Sequence, residues 1–289
     1  MTCFSGIWVP LITPFQNGDV DIPALQAMTR RMADAGVSGF VVCGSTGEAA
    51  ALSHSEQLMV LDAVIDAVPD CPVMMGLAGN NMASLASMLK QVQSRPIAGL
   101  LVPPPYYIRP SQTGIIAYFR TLADAASVPV VIYNIPYRTG VVIDLATMRA
   151  IAKHERIVAL KDCGGDQALT MNLIADGELD VLAGDDMQIL STLCFGGTGA
   201  IAASAHIRPD LFVCLMQHVK SGELAQAREI FYRLLPIMQL LFSDANPGPL
   251  KAALSLMGMI SDELRPPMQM ASTTLKDRLK EELMRLEKD

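Results

Sequence analysis

The 289-residue sequence predicts an α/β protein of the (β/α)8 TIM-barrel class with a C-terminal helical extension. Three observations carry that expectation. A short aliphatic or β-branched run ends in Gly, Pro or polar residues and gives way to an amphipathic stretch, and this alternation recurs eight times within about 220 residues. The runs are continuously apolar rather than alternating, as expected of parallel strands covered on both faces. An open doubly wound sheet is the alternative, but no G-x-G-x-x-G follows the first run.

The first four strand-like runs are GIWVPLITPF (6–15), GFVVCGSTGE (39–48), CPVMMGLAG (71–79) and GLLVPPPYY (99–107). The other four are PVVIYNIP (129–136), IVALKDCGG (157–165), LDVLAGDD (179–186) and GAIAASAH (199–206). Between them, Asp21 can cap a helix over 22–35 that carries Ile22, Leu25, Met28 and Met32 on one face. Ser53 and Glu56 form a capping box, and Ser111 and Asp144 are further N-caps, each just ahead of a helical pattern. GGTG at 196–199 reads as a turn into the eighth strand rather than a phosphate loop. After residue 220 the strands stop, and 223–241, 247–258 and 272–288 read as helices separated by NPGP (246–249) and RPPM (265–268). The expected organisation is a catalytic barrel over 1–220 and a helical extension over 221–289, suited to packing subunits together.

Composition narrows the function. A net charge of −7 argues against nucleic acid or an anionic membrane as the main partner, though not against small anionic substrates. Six scattered cysteines (Cys3, Cys43, Cys71, Cys163, Cys194, Cys214) without C-x-x-C read as reduced thiols in a cytoplasmic protein. MTCFSGIWVP lacks the features of a signal peptide, and no apolar run reaches the length of a membrane span. The four histidines (His54, His154, His206, His218) have no metal-ligand spacing, and no G-x-S-x-G elbow supports a hydrolase.

In a parallel barrel the chemistry sits at the C-terminal ends of the strands. In RIVALKDCGG, Lys161 ends the sixth strand, and Tyr133 ends the neighbouring fifth. An amine among apolar walls is disfavoured as a cation, so its neutral nucleophilic form becomes accessible and can condense with a ketone to an imine. The alternative is that Lys161 snorkels to the rim or pairs with Asp185 or Asp186, which end the seventh strand. Tyr133 could relay protons beside the amine, or simply pack with a satisfied hydroxyl. The GSTG turn (44–47) offers N–H groups and the Ser45 and Thr46 hydroxyls to a carboxylate, or is a plain turn. Arg138 could fork onto a second carboxylate, or be a solvated loop charge.

These residues resemble the dihydrodipicolinate synthase / N-acetylneuraminate lyase family of class I, Schiff-base aldolases. The similarity runs from GIWVPLITPF to NPGPLKAAL and LRPPM, with GSTGE, LSHSE, PPYYIRPSQ, YNIPYRTG, ALKD and AGDD between. The resemblance implies that Lys161 forms the imine with pyruvate and that Tyr133 transfers protons. It further implies that Ser45, where the family carries threonine, joins a hydroxyl relay with Tyr107, lent across a dimer interface. Thr46, Gly184 and the Ile201 backbone would hold pyruvate, with no metal or organic cofactor, in a homotetramer built of dimers. Arg138 points to the synthase branch, where it binds the carboxylate of L-aspartate 4-semialdehyde and the product is 4-hydroxy-tetrahydrodipicolinate. Asp162 for Glu, Cys163 for a small residue and the bulk of Tyr137 depart from that pattern. They leave open another pyruvate aldolase, acting on a 2-keto-3-deoxy sugar acid or 4-hydroxy-2-oxoglutarate, or a non-catalytic keto-acid binder. In the family's effector pocket Asn80, Tyr106 and His54 match, but Gln57 and Ser84 replace a histidine and a glutamate, implying weak or absent inhibition by L-lysine.

Overall fold

The computed structural model describes residues 4–288, so Cys3 lies outside the described residues. Its eight parallel strands form a closed barrel. They are β1 (Gly6–Pro10), β2 (Gly39–Val42), β3 (Val73–Gly76), β4 (Gly99–Val102), β5 (Val130–Asn134), β6 (Ile157–Asp162), β7 (Asp180–Ala183) and β8 (Gly199–Ile201). Each expected run holds one strand, and each strand is shorter than its run. The apolar tail of the run leaves the ladder where local chemistry forces a turn. β4 stops before the prolines at 103–105, which have no N–H to donate, and β2 stops at Cys43, whose φ of 54° is left-handed.

By contacts the chain divides into two compact units, residues 1–6 with 72–201 and residues 7–71 with 202–289. The first holds β3 to β8. There β5 and β6 pair with Tyr133 opposite Lys161 and Asn134 opposite Asp162, and β6 and β7 pair with Lys161 opposite Leu182. Successive strand side chains point to opposite faces, so Tyr133 and Lys161 share one face of the sheet while Asn134 and Asp162 share the other. The helices Gln112–Ala125 and Leu145–Ala152 start where the caps Ser111 and Asp144 were expected, each cap accepting a backbone N–H three residues on.

The second unit holds β1 and β2, paired with Trp8 opposite Gly39. A side chain at Gly39 would stand 2.4 Å from the Trp8 ring, so glycine is what lets the indole lie across β2. Helix Ile22–Asp34 is capped by Asp21, and helix His54–Ala67 by the Ser53–Glu56 capping box. The segments read as helices beyond residue 220 are Leu224–Leu241, Gly248–Leu256 and Thr273–Lys288.

One ion pair in this unit lies inside the core. Lys251 is fully buried, its Nζ 2.5 Å from Glu48 Oε1 and 4.1 Å from the centre of the Phe15 ring. It also donates to the Glu263 carbonyl at 2.9 Å. Burial pulls the Lys251 pKa down, and the neighbouring Glu48 carboxylate pulls it back up. The other Glu48 oxygen accepts the Arg265 N–H at 3.2 Å. Removing one partner of such a pair strands the other charge in a dry site, which costs about 3–5 kcal/mol. Lys251→Met is therefore expected to lower unfolding stability in urea by about 3–5 kcal/mol, and adding Glu48→Gln should restore most of it. A single Lys251→Met variant as stable as the parent contradicts the pairing.

Candidate active site

In the first unit the end of β6 brings Lys161 into an enclosed position. Its side chain is only 4% exposed, and Nζ lies 4.4 Å from the centre of the Tyr133 ring. Register alone accounts for the meeting, since the two residues are direct partners across β5 and β6. Burial lowers the Lys161 pKa below its ordinary 10.5; Cys163 and the Asp186 carboxylate oppose that shift, and the Arg138 charge adds to it. Desolvation is the largest of these influences, so the neutral amine is favoured. Lys161 does not snorkel to the rim, since its side chain is buried. Asp186 is itself buried, and Asp185 caps the turn that follows β7 by accepting the Met187 N–H at 3.0 Å.

Gly184, just past β7, makes room for this lysine. A Cβ there would stand 2.4 Å from Cys163 Sγ, 2.8 Å from Lys161 Cγ and 3.0 Å from Lys161 Cε. Any side chain would displace the amine's own stem. The Gly184 N–H donates to the Asp162 carbonyl at 2.8 Å, which holds the glycine against β6. Burial pushes the neighbouring Cys163 thiol up to about 12, so it faces the amine as a neutral thiol. Ile201 ends β8 fully buried.

The far face of the same strand ends carries a clamp that sequence reading missed. Asp162 Oδ1 accepts from Asn134 Nδ2 and from the Gly164 N–H, both at 2.9 Å, while Oδ2 accepts from the Thr170 hydroxyl at 2.7 Å. The clamp locks the register that sets Tyr133 opposite Lys161. The shorter carboxylate at this position, noted as a departure, is fully engaged. Its only sequence signal was an acidic residue directly after the lysine.

Arg138 and Tyr107 lie at the surface of this unit. Arg138 sits in the short helix Pro136–Thr139 that follows β5, its guanidinium 5.5 Å from the Tyr137 ring centre. It is exposed, and its Nε donates to the Tyr137 hydroxyl at 3.4 Å. Tyr107 is 89% exposed with a left-handed φ of 70°, held by its N–H donating to the Thr139 carbonyl at 3.1 Å. The structure does not bring its hydroxyl to Lys161 within the chain.

Ser45 and Thr46 belong to the second unit, in the turn after β2. The Gly47 N–H donates to the Gly44 carbonyl at 3.1 Å, and the Thr13 hydroxyl donates to the Gly47 carbonyl at 2.7 Å. Ser45 is partly buried and Thr46 buried, the latter accepting from Asn246 Nδ2 at 3.1 Å. Glu48 closes the turn with a left-handed φ of 52°. Among the described residues no group of three or more His, Cys, Asp or Glu is placed to hold a metal ion. Nor is any described helix long and apolar enough to cross a membrane.

Known proteins share this architecture. A relative from Syntrophus aciditrophicus named 4-hydroxy-tetrahydrodipicolinate synthase is 37% identical over 280 residues, covering 96% of each chain. One of the same name from Haloarcula marismortui is 38% identical over 288 residues, covering 98% of this chain and 94% of its own. The crystal structure of dihydrodipicolinate synthase from Thermotoga maritima superposes with a TM-score of 0.96 at 30% identity, covering 99% of both chains. The sequence profile of the dihydrodipicolinate synthetase family matches residues 3–286, and the chain belongs to that family.

Proposed function

We propose that this chain is a lyase that condenses pyruvate with L-aspartate 4-semialdehyde to give 4-hydroxy-tetrahydrodipicolinate, through an imine on Lys161. The observation that carries the proposal is the buried, deprotonation-prone amine in register with Tyr133. The names of the curated relatives support the choice of substrates. In this reading the Lys161 amine adds to the pyruvate ketone, water leaves, and the protonated imine draws electrons from the methyl carbon. Loss of a methyl proton gives an enamine, whose carbon attacks the aldehyde. The amino group of the semialdehyde then displaces the Lys161 amine from the imine carbon, which closes the ring and frees the lysine. Tyr133, with Ser45 and Tyr107, moves the protons, while Thr46, Gly184 and the Ile201 backbone hold the pyruvate carboxylate and stem. Arg138 takes the carboxylate of the semialdehyde. The covalent imine is the only activating group the scheme requires, so no metal or organic cofactor enters it. The hydroxyls of Tyr133, Ser45 and Tyr107 supply general acid–base catalysis only when held within hydrogen-bond reach of the reacting atoms. The reading includes a homotetramer of dimers, and the exposure of Tyr107 supports the dimer within it, where a partner subunit would cover that ring. The described cysteines are all free, which supports a cytoplasmic setting.

Borohydride added with pyruvate should inactivate the protein and leave one reduced pyruvate on Lys161, found by peptide mapping. Because burial lowers the amine's pKa below 10.5, trapping should rise with pH through that lowered pKa. Folded protein that gains no adduct on Lys161 in excess pyruvate would rule the imine out.

Arg138→Ala should still trap pyruvate but lose productive binding of the semialdehyde. A charged hydrogen bond to a carboxylate contributes about 1.5–3 kcal/mol, so kcat/KM should fall by roughly one to two powers of ten. An unchanged kcat/KM would show that Arg138 does not hold the second substrate.

Inhibition by L-lysine should be weak. Asn80 already exchanges hydrogen bonds with the Tyr106 backbone, and Gln57 Nε2 donates to the Ala49 and Leu52 carbonyls. Ser84 supplies no negative charge for an ammonium. Titration of L-lysine against activity should give an inhibition constant well above the millimolar range; submillimolar inhibition would overturn this.

A further inference from the structure

Two stretches of the sequence, NPGPLK (246–251) and the Arg265 of LRPPM, have no part in the scheme above, yet both converge on the turn that carries Ser45 and Thr46. Lys251 pairs with Glu48 at the end of that turn. Arg265 donates its backbone N–H to Glu48 Oε2, and its side chain donates to the Ala51 carbonyl and to Glu56. These contacts fix the left-handed Glu48 from behind. Asn246 reaches a hydroxyl of the turn itself, donating from Nδ2 to Thr46 Oγ1 at 3.1 Å.

We infer that Asn246 is a positioning residue that sets the direction of the Thr46 hydroxyl proton. The inference rests on the proposed role of Thr46 in holding the pyruvate carboxylate. A hydroxyl has one proton to give and two lone pairs to receive. When Asn246 donates to Thr46 Oγ1, the oxygen is satisfied as an acceptor, and its proton is left to point toward an anion. Without that donor the hydroxyl can turn and accept instead, and a carboxylate would then meet a lone pair. Asn246 is 9% exposed, and its Oδ1 is buried with no hydrogen-bond partner. Buried amide oxygens are normally paired, so keeping Asn246 here sacrifices stability for the one contact its amide makes. The neighbouring ion pair anchors the loop; the amide orients the hydroxyl.

The experiment is a double-mutant cycle on the pyruvate KM, with kcat and thermal unfolding measured on each variant. Thr46→Val keeps the shape of the side chain and removes the hydroxyl. Asn246→Ala should raise the pyruvate KM by about tenfold with little change in kcat, the effect of one lost hydrogen bond. In the Thr46→Val background the same substitution should change KM by less than about twofold, because the hydroxyl it orients is gone. Asn246→Asp is nearly isosteric but accepts where the amide donates, so it should raise KM at least as much as Asn246→Ala. It also serves if the alanine variant folds poorly. Independent, additive effects of Asn246→Ala and Thr46→Val would overturn the inference, as would an Asn246→Asp variant with the parent KM. If Thr46→Val itself leaves the pyruvate KM unchanged, the assignment of Thr46 fails and takes this inference with it. That outcome is distinct from a Thr46 effect that Asn246 does not share.

Discussion

An amine sealed into an apolar wall must lose its proton or find an anion, and the arrangement around Lys161 follows from that constraint. Desolvation favours the neutral amine, while the Asp186 carboxylate opposes that shift. In the proposed scheme this balance would keep a nucleophile available and still allow the positive charge that an imine must carry once formed. A fully paired carboxylate would stabilise the ammonium and remove the nucleophile. Complete isolation would make the protonated imine too unfavourable to form.

In each unit the residues of the proposed site are supported by hydrogen bonds and ion pairs of their neighbours. Asp162, Asn134 and Thr170 tie β5, β6 and the following helix together on the face opposite Lys161 and Tyr133. In the other unit, Glu48, Lys251 and Arg265 brace the turn of Ser45 and Thr46 from its concealed side. In the proposed scheme, support of this kind would keep the reacting groups near their working geometry.

Much of this was legible in the sequence, for physical reasons that can be named. The eight strands stand out because parallel barrel strands are buried on both faces and read as unbroken apolar runs. Asp21, Ser53, Ser111 and Asp144 announce their helices because an N-cap is local chemistry. Lys161 and Tyr133 could be paired in advance because both sit at strand ends on adjacent strands. Strand ends were overextended, since an apolar run does not stop where its ladder stops. The clamps were hidden for a different reason. Asn246 and Thr46 lie 200 residues apart, and nothing local in NPGPLK distinguishes a buried lysine on a packed helix from a surface one. The resemblance to a family marked that stretch as characteristic without saying what it touches.

The central claim is that Lys161 turns pyruvate into a carbon nucleophile before any aldehyde arrives. The most direct measurement is proton NMR of pyruvate incubated in D2O with the protein and no second substrate. The account predicts that the methyl signal decays as deuterium enters at C3, and that Lys161→Ala, still folded, leaves the signal intact. A methyl signal that persists at the buffer-only rate with the folded parent protein, or that decays equally fast with Lys161→Ala, would contradict it.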